Sequence, residues 1–406
     1  MTKIATLLPY KENYTHGGAG AVSLWVSSFL KYSKNIKDNI IFGSTSTKDY
    51  LSNNYFNIEL ENKSKFSSKT EIYSNELIKI FNKKKFDIIE IHNRPLVFFN
   101  LKKKIKTKYI FYFHNNPQEM RGSKSIKERE ELLIKCDKII FLSNWIKKKF
   151  FEDLNMAIGA KTEVVYPSVE RIHKFPKKKR QIIFVGKLNK SKGYHLFGEA
   201  IIKILKKYEN WKAISIGDEK RERPIFSHKN FKELGYLNHK KTLNHLKQSE
   251  IAIVPSIWEE PFGRTSLEGA SCGCLTIISN KGGLPETSNE AIGINDINSK
   301  KIISLIDFYI KNPKKLKQKQ IKSFKNTLHY VAVNSKKIDF IRDSILEKKF
   351  TINLIKSNLK IMNIYNFGQK LNHRIYNISL GKKFSNGFIR NGHDVLEISD
   401  RDFINS

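Results

Sequence analysis

Cysteine is scarce in this chain of 406 residues, with three in all, at Cys136, Cys272 and Cys274. An odd number, two of them in a lone C-x-C, excludes a disulfide framework and lacks the second pair or histidine spacing of a zinc site. A reducing compartment is expected. Long apolar runs are missing too, and none approaches the roughly 18 residues that read as a membrane span. Near the start, Ile4 to Leu8 is apolar but Pro9, Lys11 and Glu12 follow at once, too soon for a secretory signal core. These absences predict a cytoplasmic protein. Acidic residues are few, 39 against 74 Lys and Arg, which leaves a formal charge of +35. Such a balance suggests nucleic acid or an anionic membrane. Only 12 of the basic residues are arginine, however, the type suited to bidentate phosphate and base-edge contact, and no compact basic module stands out. No nucleic-acid partner is expected; a basic nucleic-acid-binding protein remains a rival that predicts steeply salt-dependent binding.

What the chain has in quantity is short β-rich runs alternating with helical patterns, the signature of βαβ units and parallel sheets. One series begins at Ile4 and continues through Asn39–Phe42, Phe86–Ile91, Tyr109–Phe113, Lys138–Leu142 and Val164–Tyr166. A second restarts at Gln181–Gly186 and runs through Lys212–Gly217, Phe231–Gly235, Ile251–Pro255 and Leu275–Ile278. Between them, Tyr166 to Arg180 is polar and proline-punctuated, as a linker would be. The expected fold class is α/β, with two doubly wound Rossmann-like domains, 1–170 and 171–330, facing a central cleft. Residues 331–350 should form a helix packing back on the first domain. The tail, 351–406, reads as strand, helix and strand, with strand starts at Lys360 and Asp394 that echo Lys3 and Asn39. It resembles the start of another such domain.

The segment richest in candidate chemistry is Pro255 to Glu286. Glu260 and Glu268 stand eight positions apart, which on one helix would leave them about 80° apart around the axis. Convergence therefore requires Glu260 to lie on a loop, and Pro261 and Gly263 favour one. The N–H groups at the following helix start suit a phosphate. A plainer reading stays open, because Thr265 and Glu268 fit a T-x-x-E capping box.

This segment resembles the donor-site signature of glycosyltransferase family 4, retaining enzymes of GT-B fold with an E-x7-E motif. Other motifs follow in the family's order over about residues 1–345. Gly17-Gly18 resembles the N-terminal glycine loop, Phe113-His114-Asn115 the catalytic-domain histidine, and Gly186-Lys187 with Lys192-Gly193 the phosphate clamp. Gly235-Tyr236-Leu237 resembles the loop beside the nucleobase, and Gly282-Gly283-Leu284-Pro285-Glu286 the loop beneath the donor sugar. Lys187 stands where the family usually has arginine, and Pro167-Ser168 where Asn-Gly is common at the linker.

The resemblance implies a retaining glycosyltransferase that needs no metal and no cofactor, moving a sugar from a nucleotide-sugar to a glycan or lipid-linked acceptor in cell-surface polysaccharide or lipopolysaccharide synthesis. His114, Lys187, Lys192 and Glu260 are its expected catalytic residues. Gly17, Gly18, Gly186, Tyr236, Leu237, Phe262, Gly263, Glu268, Gly282 and Gly283 are the expected donor-binding set. His114 also fits a merely satisfied polar group at a strand end. The D-x-D at Asp400 to Asp402 lies outside the transferase body and is not taken as a metal site. A sugar-nucleotide epimerase or phosphorylase on the same fold is the rival enzyme. Lysines 83–85, 102–104 and 147–149 read as solvated surface. The last group, among Trp145, Ile146, Phe150, Phe151 and Leu154, also suggests peripheral contact with an anionic membrane, unless those apolar residues face the core.

Overall fold

A computed structural model of the chain describes residues 2–60, 68–154, 161–219, 221, 223–346, 360–365, 382–390 and 393–399. The first series of apolar runs folds as β1 (Ile4–Leu7), α1 (Ala21–Leu30), β2 (Asn39–Gly43), β3 (Tyr55–Asn57), α2 (Lys69–Lys83), β4 (Ile88–His92), α3 (Pro95–Lys102), β5 (Lys108–Phe113), α4 (Ile126–Lys135), β6 (Lys138–Phe141), α5 (Asn144–Phe151) and β7 (Thr162–Val164). The strands form one parallel sheet in the order β3-β2-β1-β4-β5-β6-β7. Helices cover both faces, so strands such as Ile88–His92 are buried at every position. Helix starts are written locally: Ser68 with Glu71, and Ser125 with Glu128, close reciprocal capping boxes at α2 and α4.

The second series gives β8 (Lys179–Val185), α6 (Tyr194–Lys207), β9 (Lys212–Ile216), β10 (Phe231–Glu233), α7 (His239–Gln248), β11 (Ser249–Val254), α8 (Arg264–Ser271), β12 (Leu275–Ser279), β13 (Ile292–Ile294), α9 (Ser299–Lys311), α10 (Pro313–Lys325) and α11 (Val331–Leu346). Its sheet is parallel in the order β10-β9-β8-β11-β12-β13. Helix α11 leaves this half and packs on the first sheet, where Val331, Ile338 and Ile341 join the core beside Trp25 and Phe29. Arg342 carries the return further, donating from Nε and Nη2 to the two oxygens of buried Glu90 at 2.9 and 2.7 Å. Residues 1–346 thus make one compact unit, and 347–406 a second. In the second unit, β14 (Lys360–Tyr365) pairs in parallel with β15 (Asp394–Ser399), Lys360 opposite Asp394, and α12 (Lys382–Arg390) lies between them in sequence. Asp400 to Asp402 fall outside the described residues.

In both large sheets the strand order reverses between the first strand and its inner neighbour: β1 and β4 in one, β8 and β11 in the other. The carboxyl ends at such a reversal leave a crevice for a ligand.

Candidate active site

At the second reversal, the loop after β8 carries Gly186, Lys187, Lys192 and Gly193, and the loop after β11 carries Pro255 to Gly263. The two loops touch backbone to backbone. Gly193 has φ +70, and a Cβ there would sit 1.9 Å from the Pro255 carbonyl oxygen. The N–H groups of Ile257 and Trp258 both donate to the Ser191 carbonyl, at 2.9 and 3.0 Å. This stitching brings Lys192 Nζ to 2.5 Å from Glu260 Oε1 and 4.7 Å from the Trp258 ring centre. Lys192 and Glu260, both expected catalytic residues, are here each other's partner. Lys187 is exposed on the same loop.

Glu260 does lie on a loop and is buried, 8% exposed. Glu268 sits in α8, equally buried. The T-x-x-E capping box does not form. The N-cap is Gly263, with φ +100 and no side-chain cap, and Thr265 is already helical. Glu268 instead accepts from Arg264 Nη2 at 3.0 Å and His239 Nε2 at 2.9 Å. Burial pushes the Glu268 carboxyl up, but Arg264 and His239 outweigh it, so the carboxyl titrates below its ordinary range. Helix α6 likewise starts at a left-handed glycine, Gly193, without a side-chain cap, whereas Asn238 Oδ1 caps α7 through Lys241 N–H. Among the described residues, no side chain caps the first-turn N–H groups of α6 and α8, which suit an anion.

Beneath Glu260 run Gly282 and Gly283. Gly282 has φ +61, and a Cβ there would stand 2.1 Å from the Glu260 carbonyl oxygen. Gly283 N–H donates to that oxygen at 2.6 Å. Both glycines are therefore required by the close approach of their backbone to the Glu260 loop. Phe262 points its ring away into a cluster with Val169, Leu267 and Tyr166. Tyr236 is exposed past the end of β10, while Leu237 packs against the core.

Glu286, three residues after Gly283, reaches the first half of the molecule. Its carboxylate accepts from the N–H groups of Asn144 and Trp145 at 2.7 and 2.8 Å, at the start of α5. Ser143 Oγ donates to the Pro261 carbonyl at 2.6 Å. The end of β6 is thereby tied to the Glu260 loop. His114 follows the neighbouring strand β5, so its strand end lies next to the one that makes this bridge. His114 is buried, with its backbone N–H on Asn93 Oδ1 and its Nε2 2.7 Å from His92 Nδ1.

In the loop after β1, a Cβ on Gly17 would meet nothing within 4 Å and one on Gly18 only ordinary contacts. The packing constraint falls on Gly20, where a Cβ would strike the Glu12 carboxylate. Glu12 Oε1 accepts from Val22 and Ser23 N–H at the start of α1. The anion position at that helix already holds a carboxylate of the chain, which leaves the uncapped starts of α6 and α8 as the better phosphate sites. The expected membrane stripe also resolves: Ile146 and Phe150 are buried, and Trp145, Phe151 and Leu154 pack against the core.

Residues 167–326, which hold both carboxylates and both lysines, match the family described as glycosyl transferases group 1. That segment is therefore similar to a group 1 glycosyl transferase. An uncharacterised 41.2 kDa protein in the cps region of Klebsiella pneumoniae is 28% identical over 262 residues, covering 57% of this chain and 71% of that one. Spore coat protein SA of Bacillus subtilis is 25% identical over 250 residues, covering 51% and 63%. Among solved structures, Anabaena HepE in complex with UDP-glucose superposes with a TM-score of 0.65 at 14% identity over 85% of this chain and all of that one. The two parallel sheets are thus those of the GT-B fold. No helix among the described residues is long and apolar enough to cross a membrane. Nor is any group of three or more His, Cys, Asp or Glu among them placed to hold a metal ion.

Three partners of the site escaped the sequence reading. Arg264 had a signal, since it stands at i−4 to Glu268, the spacing of helical ion pairs. His239 and His92 had none, because each meets its partner only after distant strands come together.

Proposed function

We propose that the protein is a retaining, metal-independent glycosyltransferase that takes a sugar from a nucleotide-sugar and adds it to a glycan or lipid-linked acceptor of a surface polysaccharide. The observation that carries this reading is the Lys192–Glu260 pair set against the uncapped starts of α6 and α8. Transfer breaks the bond between the anomeric carbon and the diphosphate and leaves negative charge on the departing group, which fixed cations and N–H donors stabilise. A diphosphate entering here would draw Lys192 away from Glu260 and meet Lys187, releasing the Glu260 carboxylate to accept from sugar hydroxyls. Glu268, held by Arg264 and His239, accepts from the ribose. Attack by the acceptor hydroxyl on the face the diphosphate leaves lets the diphosphate take the proton, so no side chain is assigned as general base. The relatives' names, a cps region and a spore coat, support a polysaccharide, and HepE, solved with UDP-glucose, makes UDP-sugars the first donors to try.

Incubation with UDP-, GDP- and ADP-sugars and a cell-envelope acceptor fraction tests this. Nucleoside diphosphate release that depends on the acceptor, with an α-linked product from an α-linked donor by proton NMR, is expected. Donor interconversion without acceptor would mean an epimerase, and an inverted linkage would remove retention. Membrane contact, with the α5 apolar residues in the core, would rest on lysines alone. Flotation with anionic and with neutral vesicles decides it, equal recovery ending the idea.

A further inference from the structure

The face of the first sheet that α1 and α11 cover carries an unusual line of polar side chains. Strand alternation puts Glu90 and His92 of β4 on one face, and the register Thr6 with Glu90 and His92 with Tyr112 brings Thr6 and Tyr112 alongside. His114, two positions past Tyr112, continues the line toward the strand ends. His92 is 1% exposed and stacks on Tyr112 with ring centres 4.4 Å apart. Trp25 meets both histidines edge to face, with ring centres 5.6 Å from His92 and 5.3 Å from His114.

Both rings are neutral in the folded protein. Burial drives His92 down to about 3, with the Arg342 charge acting in the same direction, and burial drives His114 well below its ordinary value. A neutral imidazole has one donor and one acceptor nitrogen, so the 2.7 Å contact between His92 Nδ1 and His114 Nε2 has two alternative proton arrangements. The surroundings choose between them. His92 Nε2 has no hydrogen-bond partner among the described residues, and His92 lines a cavity of about 20 Å3, room for one water. Trp25 and Arg342, which can only donate, line the same cavity, and the Trp25 indole N–H likewise has no partner among the described residues. Glu90, the carboxylate there, is already engaged by Arg342, Tyr112 and Thr6. A lone pair on His92 Nε2 can accept from the Trp25 indole N–H through one water in this cavity, and that places the His92 proton on Nδ1.

We propose that His92 is a positioning residue for sugar transfer: its Nδ1–H donates to His114 Nε2 and holds His114 in the tautomer that offers an Nδ1–H donor to the nucleotide-sugar. This rests on the reading of His114 as a contact at the reaction centre. The Asn93 side chain completes the setting by accepting from the His114 backbone N–H at 2.7 Å, from a residue that itself adopts φ +53. His114 is therefore held at its backbone by Asn93 and at its ring by His92. Such double restraint keeps a contacting group oriented before the ligand arrives.

Two variants separate positioning from packing. His92→Phe keeps the stacked ring and removes both nitrogens; His92→Asn loses the ring but places an amide donor near the position of Nδ1. With UDP-, GDP- and ADP-glucose as donors, His92→Phe should lower kcat for nucleoside diphosphate release about tenfold or more with donor KM little changed, and His92→Asn should recover most of it. A purely packing role gives the reverse order, and full activity in His92→Phe overturns the proposal. His114→Phe keeps the two readings apart. If it is as active as the wild type, the role of His114 falls; if it is inactive while His92→Phe is fully active, only the role of His92 falls. Nitrogen-15 NMR of the histidine-labelled wild-type protein reads the tautomer directly, without a substrate. A protonated Nδ1 and bare Nε2 on His114 are expected, and a protonated His114 Nε2 contradicts the assignment whatever the variants do.

Discussion

Gly282 and Glu268 place opposite demands on a single residue. At Gly282 the constraint is space and φ: Gly282→Ala drives a methyl group into the Glu260 carbonyl and strains a left-handed backbone. A loss of about 1–3 kcal/mol in urea unfolding and of donor binding is expected. An unchanged midpoint would show that the Glu260 loop can yield. At Glu268 the constraint is charge. That position was legible in the sequence as one of two carboxylates at a chosen spacing, and Arg264 was legible in hindsight from its helical register. His239 was not, because the contact joins the first residue of α7 to the middle of α8 across two different crossovers. Gly17 and Gly18 differ from Gly282 in what surrounds them. The Gly-Gly pair stood out by type, yet packing demands a glycine at Gly20, and only the position of Glu12 reveals it.

Helix α5 is the element that joins the two halves of the cleft. Its N-terminal N–H groups are claimed by Ser143 from its own chain segment and by Glu286 from beyond the second sheet's fifth strand. A carboxylate at a helix start gains from the backbone dipole as well as from the bonds. Glu286→Gln keeps an acceptor oxygen but loses the charge, and should cost about 0.5–2 kcal/mol of stability by urea unfolding. No change would mean that Ser143 alone caps the helix. Most elements could be read from apolar periodicity, since buried parallel strands are near-continuous hydrophobic runs. The exceptions are β3 (Tyr55–Asn57) and β13 (Ile292–Ile294), three-residue strands at or near sheet edges. Each is set by three register pairs with an existing strand, too few residues for a pattern of their own.

Across the compact unit, the last helix locks the first sheet through charge buried in its core. Burial opposes ionisation of Glu90, but Arg342, Tyr112 and Thr6 outweigh it and hold the carboxyl below its ordinary range. Removing one partner leaves the other charged and buried, so Arg342→Ala should destabilise the unit by about 3–5 kcal/mol. The histidine pair adds a pH dependence. As pH falls below about 6.5, the unfolded chain takes up protons at His92 and His114 and the folded one does not until about 3 for His92. Stability contributed by each is present above pH 6.5 and is lost as pH falls, at a limit of about 1.4 kcal/mol per unit. Urea unfolding at pH 7, 6 and 5 should show this slope in the wild type and a shallower one in His92→Phe; equal slopes would mean that the pair takes up protons while folded. Of the +35 charge, which first suggested nucleic acid, the candidate site uses Lys187 and Lys192 of one loop.

Thermal unfolding of the wild type and Glu268→Gln with UDP-, GDP- and ADP-sugars tests the central claim, that a nucleotide-sugar binds between the loops after β8 and β11. Tm should rise with one nucleotide class, and the rise should be lost or much reduced in Glu268→Gln. An equal rise in both proteins would place the nucleotide elsewhere, and no rise with any nucleotide-sugar would contradict the donor site itself.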